Sequence, residues 1–178
     1  MIQKAERIIE AYQKVKPAGC GVIAMDGRAA AGKTTLAEEL AVTLGGAVVH
    51  MDDFFLPGEL RTPERLAAPG GNVHAERFAE EVLPFLRRGE VFRYRRFDCH
   101  RMDYNGWVEI PPVPVIIVEG AYSQYPQFGH YADLTAFCDI TPEEQKRRIT
   151  ARNGEEHWMV FREQWIPLEE KYLAEYHI

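Results

Sequence analysis

Short, continuous runs of apolar residues recur along this chain and alternate with segments of helical periodicity. Runs of this length predict buried strands, which we place at residues 22–25, 47–51, 114–118 and 134–140. Apolar residues spaced by three or four positions predict helices over residues 2–16, 33–44, 75–86, 141–153 and 167–176. Strands that alternate with helices are typical of an α/β fold whose central sheet is mostly parallel and flanked by helices.

The middle of the chain departs from this alternation. Residues 56–72 are rich in Pro, Gly and Arg, which predicts a long irregular loop, and such loops are usually functional or mobile. Pro84 should kink or restart the helix in which it lies. Residues 91–97 alternate in polarity and predict a half-exposed strand, followed by a hairpin turn near Asn105-Gly106.

Composition and charge narrow the function classes. With 178 residues, 46% hydrophobic and 27% charged, the chain is typical of one globular domain. A net charge of −6 argues against wide nucleic-acid contact, and no apolar run approaches the roughly 18 residues of a membrane span. Cys20, Cys99 and Cys138 have no paired spacing, so we expect neither a zinc site nor a disulfide framework. The N-terminal segment is charged throughout and has no apolar signal core, which predicts a cytoplasmic protein. The sequence leaves open whether the protein forms a homo-oligomer.

A phosphate-binding motif follows the first predicted strand. Residues 27–34 read Gly-Arg-Ala-Ala-Ala-Gly-Lys-Thr, which fits the pattern G-x-x-x-x-G-K-[ST]. Between a strand and a helix, its backbone N–H groups turn toward a phosphate and the helix dipole favours the anion. The lysine would reach the outer phosphates and the threonine hydroxyl would ligate Mg²⁺. We predict that ATP binds through Gly27, Ala30, Ala31, Gly32, Lys33, Thr34 and Thr35.

Carboxylates follow two other predicted strands. Asp52 and Asp53 come directly after the second strand, before Phe54 and Phe55, and Glu119 ends the third. Ligands of open α/β sheets bind beyond the carboxyl ends of strands, so these residues could supply a base, a metal contact and a stacking wall. The simpler alternatives are a helix cap or turn at Asp52 and an exposed strand end at Glu119. In a chain with a phosphate loop, Glu119 has the Walker B arrangement and would hold Mg²⁺ directly or through water.

A helix rich in arginine follows the fourth strand. Thr141 before Pro142, with Glu144 at the capping-box position, predicts where this helix begins. Arg148 and Arg152 are four residues apart and share one face. That pair is either a solvated surface or a phosphate clamp, and composition does not decide between the two.

The sequence contains no Asn-Lys-x-Asp motif for reading guanine, which disfavours a GTPase.

Together these motifs resemble the uridine kinase-like branch of the P-loop kinases, which includes uridine–cytidine kinase, nicotinamide riboside kinase, phosphoribulokinase and bacterial pantothenate kinase. The resemblance rests on residues 52–55, on residues 115–120 and on the arginine-rich helix. It implies a three-layer P-loop NTPase fold in one domain over residues 1–178. A lid over about residues 152–165 and a substrate-side region with a hairpin over about residues 56–110 are also implied.

The same resemblance implies an ATP- and Mg²⁺-dependent phosphotransferase that acts on a hydroxyl of a nucleoside-like small molecule. Asp52 would be the general base and would share Mg²⁺ with Thr34 and Glu119, while Lys33, Arg148 and Arg152 would act on the phosphates. The residues that would bind the acceptor are Asp53, Phe54, His74, Tyr94, Phe97, His100 and Arg101.

Some positions depart from the family pattern. Asn153 stands where an aspartate usually follows the lid arginine, and Gln145 replaces an arginine. Arg95 and Arg96 stand in the hairpin where Tyr and Asp are expected. The segment from Asp52 to Phe55 looks at least as much like nicotinamide riboside kinase, so that kinase or another small-metabolite kinase is the alternative to a uridine kinase. A further alternative, of another class, is a non-catalytic nucleotide-binding regulatory protein. The pattern also implies a fifth strand after the last helix.

Overall fold

The computed structural model describes residues 2–15, 17, 19–99 and 101–178. The strands are β1 (Gly21–Gly27), β2 (Ala47–His50), β3 (Phe92–Asp98), β4 (Asp103–Ile110), β5 (Val115–Glu119) and β6 (Leu134–Cys138). Four of them form a parallel sheet with the order β2-β5-β1-β6. The helices are α1 (Ile2–Val15), α2 (Lys33–Leu44), α3 (Pro63–Ala67), α4 (Ala75–Glu81), α5 (Pro142–Asn153), α6 (Glu155–Val160) and α7 (Ile166–Tyr176). The four strands predicted from apolar runs are confirmed, and β3 and β4 form a separate hairpin.

Helices cover both faces of the sheet, as the three-layer prediction requires. On one face, Ala5 of α1 and Leu36 and Leu40 of α2 pack with the strands in one apolar cluster. On the other face, a larger cluster includes Phe78 of α4 and Tyr172 of α7. Because both faces are covered, every residue of β1 and β5 is buried. Strands in that position need continuous apolar runs rather than alternation.

The hairpin differs from the sequence prediction in its turn and in its alternation. β3 ends at Asp98, which pairs with Asp103 at the start of β4, and Asn105-Gly106 lies inside β4, so the predicted turn position is wrong. Gly106 has a φ of 82°, so its conformational freedom serves an irregular strand rather than a turn. Strict alternation along β3 would place the side chains of Phe97 and Tyr94 on opposite faces of the strand. A register shift after Arg95 instead turns Phe97 to the same buried side.

Short helices and caps order the segment between β2 and the hairpin. Residues 56–72, predicted as an irregular loop, contain a 3₁₀ turn and α3, whose N-cap Thr62 accepts a backbone hydrogen bond from the first helical turn. α4 begins after His74 and ends at Glu81, five residues before the predicted end at residue 86. Pro84 explains the early end, because proline disfavours a helical residue before it and removes a backbone donor.

The last three helices follow one another with little interruption. Thr141 caps α5 as predicted and accepts a hydrogen bond from the Glu144 backbone N–H at 3.4 Å. The Glu144 carboxylate pairs with arginines of the same helix instead of completing the capping box. A π-helical turn, Phe161–Trp165, joins α6 to α7. No helix in the described part of the chain is long and apolar enough to cross a membrane.

Candidate active site

The predicted phosphate loop lies between β1 and α2. Gly27 is packed against β6, where an added Cβ would overlap the Cys138 carbonyl oxygen, and its φ of 143° favours glycine. Gly32 precedes α2 with a φ of 88°. Ala30 has a φ of 60°, which is uncommon for a residue with a side chain. The curved loop leads into the first turn of α2, whose N–H groups have no helical partners and can bind an anion.

Lys33 reaches back across this loop. Its Nζ donates to the Gly27 carbonyl oxygen at 2.8 Å and to the Arg28 carbonyl oxygen at 2.9 Å, and its side chain is buried. A lysine ammonium has three donors. Lys33 can therefore hold the loop and still donate to a phosphate oxygen bound at the start of α2.

Thr34 and Glu119 lie together, as the predicted metal ligands should. The Thr34 hydroxyl oxygen is 3.2 and 3.3 Å from the two carboxylate oxygens of Glu119. Parallel pairing of β5 with β1 brings the end of β5 beside the loop. Oxygen ligands at adjacent corners of an octahedral Mg²⁺ site are about 2.9 Å apart. The pair therefore fits one shared Mg²⁺ ion.

Asp52 faces the same space from the end of β2. It lies in a 3₁₀ turn directly after His50, whose Nδ1 is 2.6 Å from Glu119 Oε1, and that hydrogen bond raises the His50 pKa. No described group donates a hydrogen bond to the Asp52 carboxylate. The Asp52 side chain is exposed to the cavity, and the protein packed around that cavity partly desolvates its carboxylate. This desolvation, together with the charge of Glu119, raises the Asp52 pKa, opposed by Lys33 and His50.

A cavity of about 740 Å³ joins these groups. The phosphate loop and the start of α2 form one side of it, and Asp52 and Glu119 lie at the strand ends. The end of α5, the lid segment and the tip of the hairpin line the remaining sides. The structure thus brings the predicted base, the predicted metal ligands and the loop into a single space.

Arg148 and Arg152 also line the cavity. The Arg148 guanidinium donates to the Ala30 carbonyl oxygen at 3.1 Å and to the Glu144 carboxylate at 2.7 Å. The Arg152 Nε donates to Asn153 Oδ1 at 2.7 Å. Of the two alternatives for this arginine pair, a position on the cavity beside the phosphate loop favours the phosphate clamp.

Four residues predicted to bind the acceptor lie behind the cavity wall. Phe54 and Tyr94 have no exposed surface, and their ring centroids are 5.1 Å apart. Asp53 is buried and accepts a hydrogen bond from the Tyr94 hydroxyl at 3.1 Å. Phe97 packs against Tyr104 inside the hairpin. These side chains support the wall that carries Asp52 rather than forming its surface.

The other predicted acceptor residues lie at the margins. His74 caps α4 by accepting the Arg77 backbone N–H at 3.4 Å, and burial lowers its pKa. Arg101 is exposed at the hairpin turn, where its backbone N–H donates to Asp98 at 3.3 Å. Neither His74 nor Arg101 lines the cavity. His100 falls outside the described residues.

Sequence reasoning missed most of the cavity wall on this side. Phe55 was predicted as part of a stacking wall and does line the cavity, whereas the other polar and aromatic members come from separate segments: Arg61, Asn72, Cys99, Tyr122 and Trp165. They share no motif or spacing, because irregular segments carry no periodicity that indicates where a side chain points. Aromatic residues directly after a strand end and in the lid were the available signal.

The last helix is docked on the start of the phosphate loop. Glu169 accepts a hydrogen bond from the Ala29 backbone N–H at 2.9 Å, and the Tyr172 hydroxyl donates to Asp26 at 2.7 Å. The next residue, Glu170, accepts a hydrogen bond from Arg28 Nε of the loop at 2.6 Å. Burial raises the Glu169 pKa to about 7. Because α7 directly follows the segment predicted as a lid, these contacts connect that segment to the loop.

Comparison with known proteins identifies curated relatives of this chain. A thymidylate kinase of Xanthomonas euvesicatoria pv. vesicatoria (strain 85-10) is 30% identical over 153 residues, which cover 78% of this chain and 64% of that protein. The chain therefore spans less than two thirds of the length of that relative. No protein-family model matches the sequence.

Several solved structures share the architecture of this chain. A possible uridine kinase from Bacillus stearothermophilus has a TM-score of 0.65 at 18% identity, with 92% of each chain covered. A candidate fructose transport system kinase from Silicibacter sp. TM1040 has a TM-score of 0.77 at 21% identity, with 96% of this chain and 94% of that chain covered. The resemblance seen in the sequence is confirmed at the level of the fold: this chain has the P-loop kinase fold, a mostly parallel sheet flanked by helices.

Proposed function

We propose that this protein is an ATP-dependent kinase that transfers the γ-phosphoryl group to a hydroxyl of a nucleoside-like small molecule. The observation that carries the proposal is the carboxylate of Asp52, which shares one cavity with Lys33, Thr34 and Glu119. A protein that only binds a nucleotide needs no base beside its phosphate loop. The thymidylate kinase relative and the two kinase-like fold neighbours support a phosphotransferase of this general kind.

The described residues divide the chemistry between them. The first turn of α2 and Lys33 would bind the phosphates of ATP, and Thr34 and Glu119 would hold Mg²⁺. A bound Mg²⁺ would neutralise charge on the phosphoryl group during transfer. Arg148 and Arg152 would add positive charge where negative charge develops, in a space that the lid helps to close.

Asp52 is placed to act as the base. As the acceptor oxygen forms its bond to the γ-phosphorus, the bond to the β-phosphate oxygen breaks and ADP leaves. The proton of the acceptor hydroxyl would pass to the Asp52 carboxylate and then to solvent. A raised pKa makes this carboxylate a better proton acceptor, and base catalysis of this kind contributes roughly 10²–10⁴-fold to the rate.

Uridine is the first acceptor to test. Nicotinamide riboside is the main alternative, supported by the likeness of residues 52–55 and 143–148 to its kinase. The names of the curated relative and of one fold neighbour add thymidylate and fructose to the set.

The experiment measures ADP release from ATP and Mg²⁺ with each of these acceptors and with pantothenate. We expect at least one acceptor to raise ADP release above the rate in water alone and to gain one phosphoryl group, as seen by mass spectrometry. ATP binding without stimulation by any acceptor in a broad panel would instead favour a non-catalytic regulatory protein.

A further inference from the structure

The cavity contains polar groups that the phosphate-transfer chemistry does not use. We infer that Arg61, Asn72 and Tyr122 form a subsite for an oxyanion of the acceptor, either a phosphate monoester or a carboxylate. The inference rests on the proposed kinase function and narrows its substrate class. The acceptor would be an alcohol that carries a second, negatively charged group.

Arg61 is a cation on the cavity wall that no described carboxylate neutralises. Acids pair with six other arginines of the substrate-side region, namely Arg65, Arg77, Arg87, Arg93, Arg95 and Arg96. The Arg61 Nε donates to the Leu56 carbonyl oxygen at 2.8 Å, which fixes the side chain and leaves its two terminal nitrogens for a ligand. A guanidinium group can bind a phosphate or carboxylate through two parallel hydrogen bonds.

Tyr122 adds a buried hydroxyl to the same wall. Its side chain is 1% exposed, and no described group makes a hydrogen bond of acceptable geometry to its oxygen. The Asn72 side chain is its polar neighbour. The backbone of Tyr122 has a φ of 71°, a strained conformation for a residue with a large side chain. Unpaired buried groups and backbone strain concentrate at functional sites.

One backbone connection joins the members of this subsite. The Leu56 N–H donates to the Asn72 carbonyl oxygen at 3.1 Å, and the Leu56 carbonyl oxygen accepts from Arg61. Asn72 in turn lies beside Tyr122. All three residues line the cavity that contains Asp52. The subsite is therefore a built wall, in which the cation, the amide and the hydroxyl keep fixed neighbours.

Arg61 lies on the acceptor side of the cavity rather than beside the phosphate loop. The guanidinium is held by the carbonyl oxygen of Leu56, four residues after Asp52, and no described hydrogen bond or ion pair joins it to residues 27–35. The Arg61 guanidinium carbon is also 5.8 Å from the ring centroid of Trp165 in the lid. An anion on Arg61 would thus lie under the lid, within the space that Asp52 shares.

Matched acceptors that differ in charge test the inference by their turnover. The pairs are pantothenate with panthenol, ribose 5-phosphate with ribose, and uridine monophosphate with uridine, which separate carboxylate from phosphate as the anion. We expect the charged member of at least one pair to have a kcat/KM roughly 10- to 100-fold above that of its neutral partner. Arg61→Gln should remove most of this preference by raising the KM of the charged acceptor, with the KM of ATP unchanged.

Two further variants make the test specific. Arg88→Gln removes the same charge at an exposed position outside the cavity and should change neither KM. Tyr122→Phe removes only the unpaired hydroxyl, so it should weaken binding of the charged acceptor without lowering the thermal midpoint.

Calorimetry with a non-hydrolysable ATP analogue separates this inference from the kinase proposal. Pantothenate or ribose 5-phosphate should bind to the wild type and to Arg88→Gln with similar affinity. Its affinity for Arg61→Gln should be lower by roughly tenfold or more. Such binding without any turnover would support the subsite and contradict the kinase. Equal use of neutral and charged acceptors, unchanged by Arg61→Gln, would overturn the subsite and leave the kinase standing. The subsite also fails if no charged probe binds, or if Arg61→Gln raises the KM of ATP instead.

Discussion

The two sides of the cavity are built in different ways. The phosphate side is one continuous stretch, residues 27–35, whose shape follows from glycine conformations and the start of a helix. The other side, which we assign to the acceptor, combines residues 55–72, the hairpin tip, Tyr122 and Trp165. A local motif fixes its own backbone donors, whereas an assembled wall depends on the packing of every segment behind it. Substitutions should therefore disturb the two sides separately.

The largest effect is expected from Gly27→Ala on the phosphate side. The new Cβ would overlap the Cys138 carbonyl oxygen, and a φ of 143° would be imposed on a residue with a side chain. We predict a loss of roughly 4 kcal/mol or more in the free energy of unfolding, together with loss of ATP binding. Urea unfolding and calorimetry with ATP measure both.

Gly129→Ala is the matched control for this substitution. Gly129 also has a left-handed φ, of 66°, but an added Cβ would meet nothing within 4 Å. With a ψ of −165°, this conformation is one that residues with side chains rarely adopt, so the strain alone should lower stability by about 1–3 kcal/mol. Equal losses in the two variants would show that the close contact of Gly27 with β6 is unimportant.

An intermediate effect is expected from Glu169→Gln, where α7 meets the loop. Burial raises the Glu169 pKa from its ordinary 4.5 to about 7, so the folded protein favours the protonated acid. Stability should fall as the pH rises from about 4.5 to about 7 and stay lower above that range. Glutamine can still accept the Ala29 N–H without a charge. The variant should be roughly 1–3 kcal/mol more stable than wild type near pH 8 and little different near pH 4.5.

Thermal unfolding across this pH range checks the prediction. Glu170→Gln, one residue along the helix, removes the ion pair with Arg28 and should give no gain near pH 8. Identical pH profiles for wild type and Glu169→Gln would mean that the Glu169 charge does not oppose docking of α7.

The smallest effect is expected from Tyr94→Phe on the acceptor side. It removes the hydroxyl that donates to the buried Asp53 carboxylate at 3.1 Å. We predict a loss of about 1–2 kcal/mol in the free energy of unfolding and a higher KM for the acceptor, while ATP binding stays unchanged. Tyr104→Phe in the same hairpin is the control, because no described group hydrogen-bonds the Tyr104 hydroxyl, and it should change stability by less than about 0.5 kcal/mol. Weaker ATP binding in Tyr94→Phe would mean that the two sides are not independent.

The contrast between the two sides also explains what the sequence could predict. Buried parallel strands need continuous apolar runs, so the four central strands could be predicted from the positions of those runs. The phosphate motif and the strand-end acids depend on local order and on parallel pairing, and Thr34, Asp52 and Glu119 do meet in one cavity. The end of α4 was predicted too late. The ring of Pro84 clashes with the carbonyl group four residues earlier in a helix, so the helix ends before the proline is reached.

The acceptor side could not be predicted in the same way. Asn105-Gly106 carries a strong turn signal, but pairing of β4 with β3 places the turn earlier. A register shift in β3 turns Phe97 inward, and no pattern in the sequence marks that shift. Arg61 and Tyr122 lie in irregular segments, where a side chain's direction depends on tertiary packing rather than on spacing. Aromatic residues near a strand end predicted a wall but not which face of it the ligand would meet.

Asp52→Asn gives the most direct test of the central claim, that a base and a phosphate loop share one cavity in order to transfer phosphate. Asparagine keeps the size and polarity of the side chain but cannot accept the proton of the acceptor hydroxyl. With the best acceptor of the panel, we predict ATP binding close to that of the wild type and turnover lower by roughly 10²–10⁴-fold. Unchanged turnover with ATP bound normally would contradict the role of Asp52 and the assignment of the cavity to phosphoryl transfer.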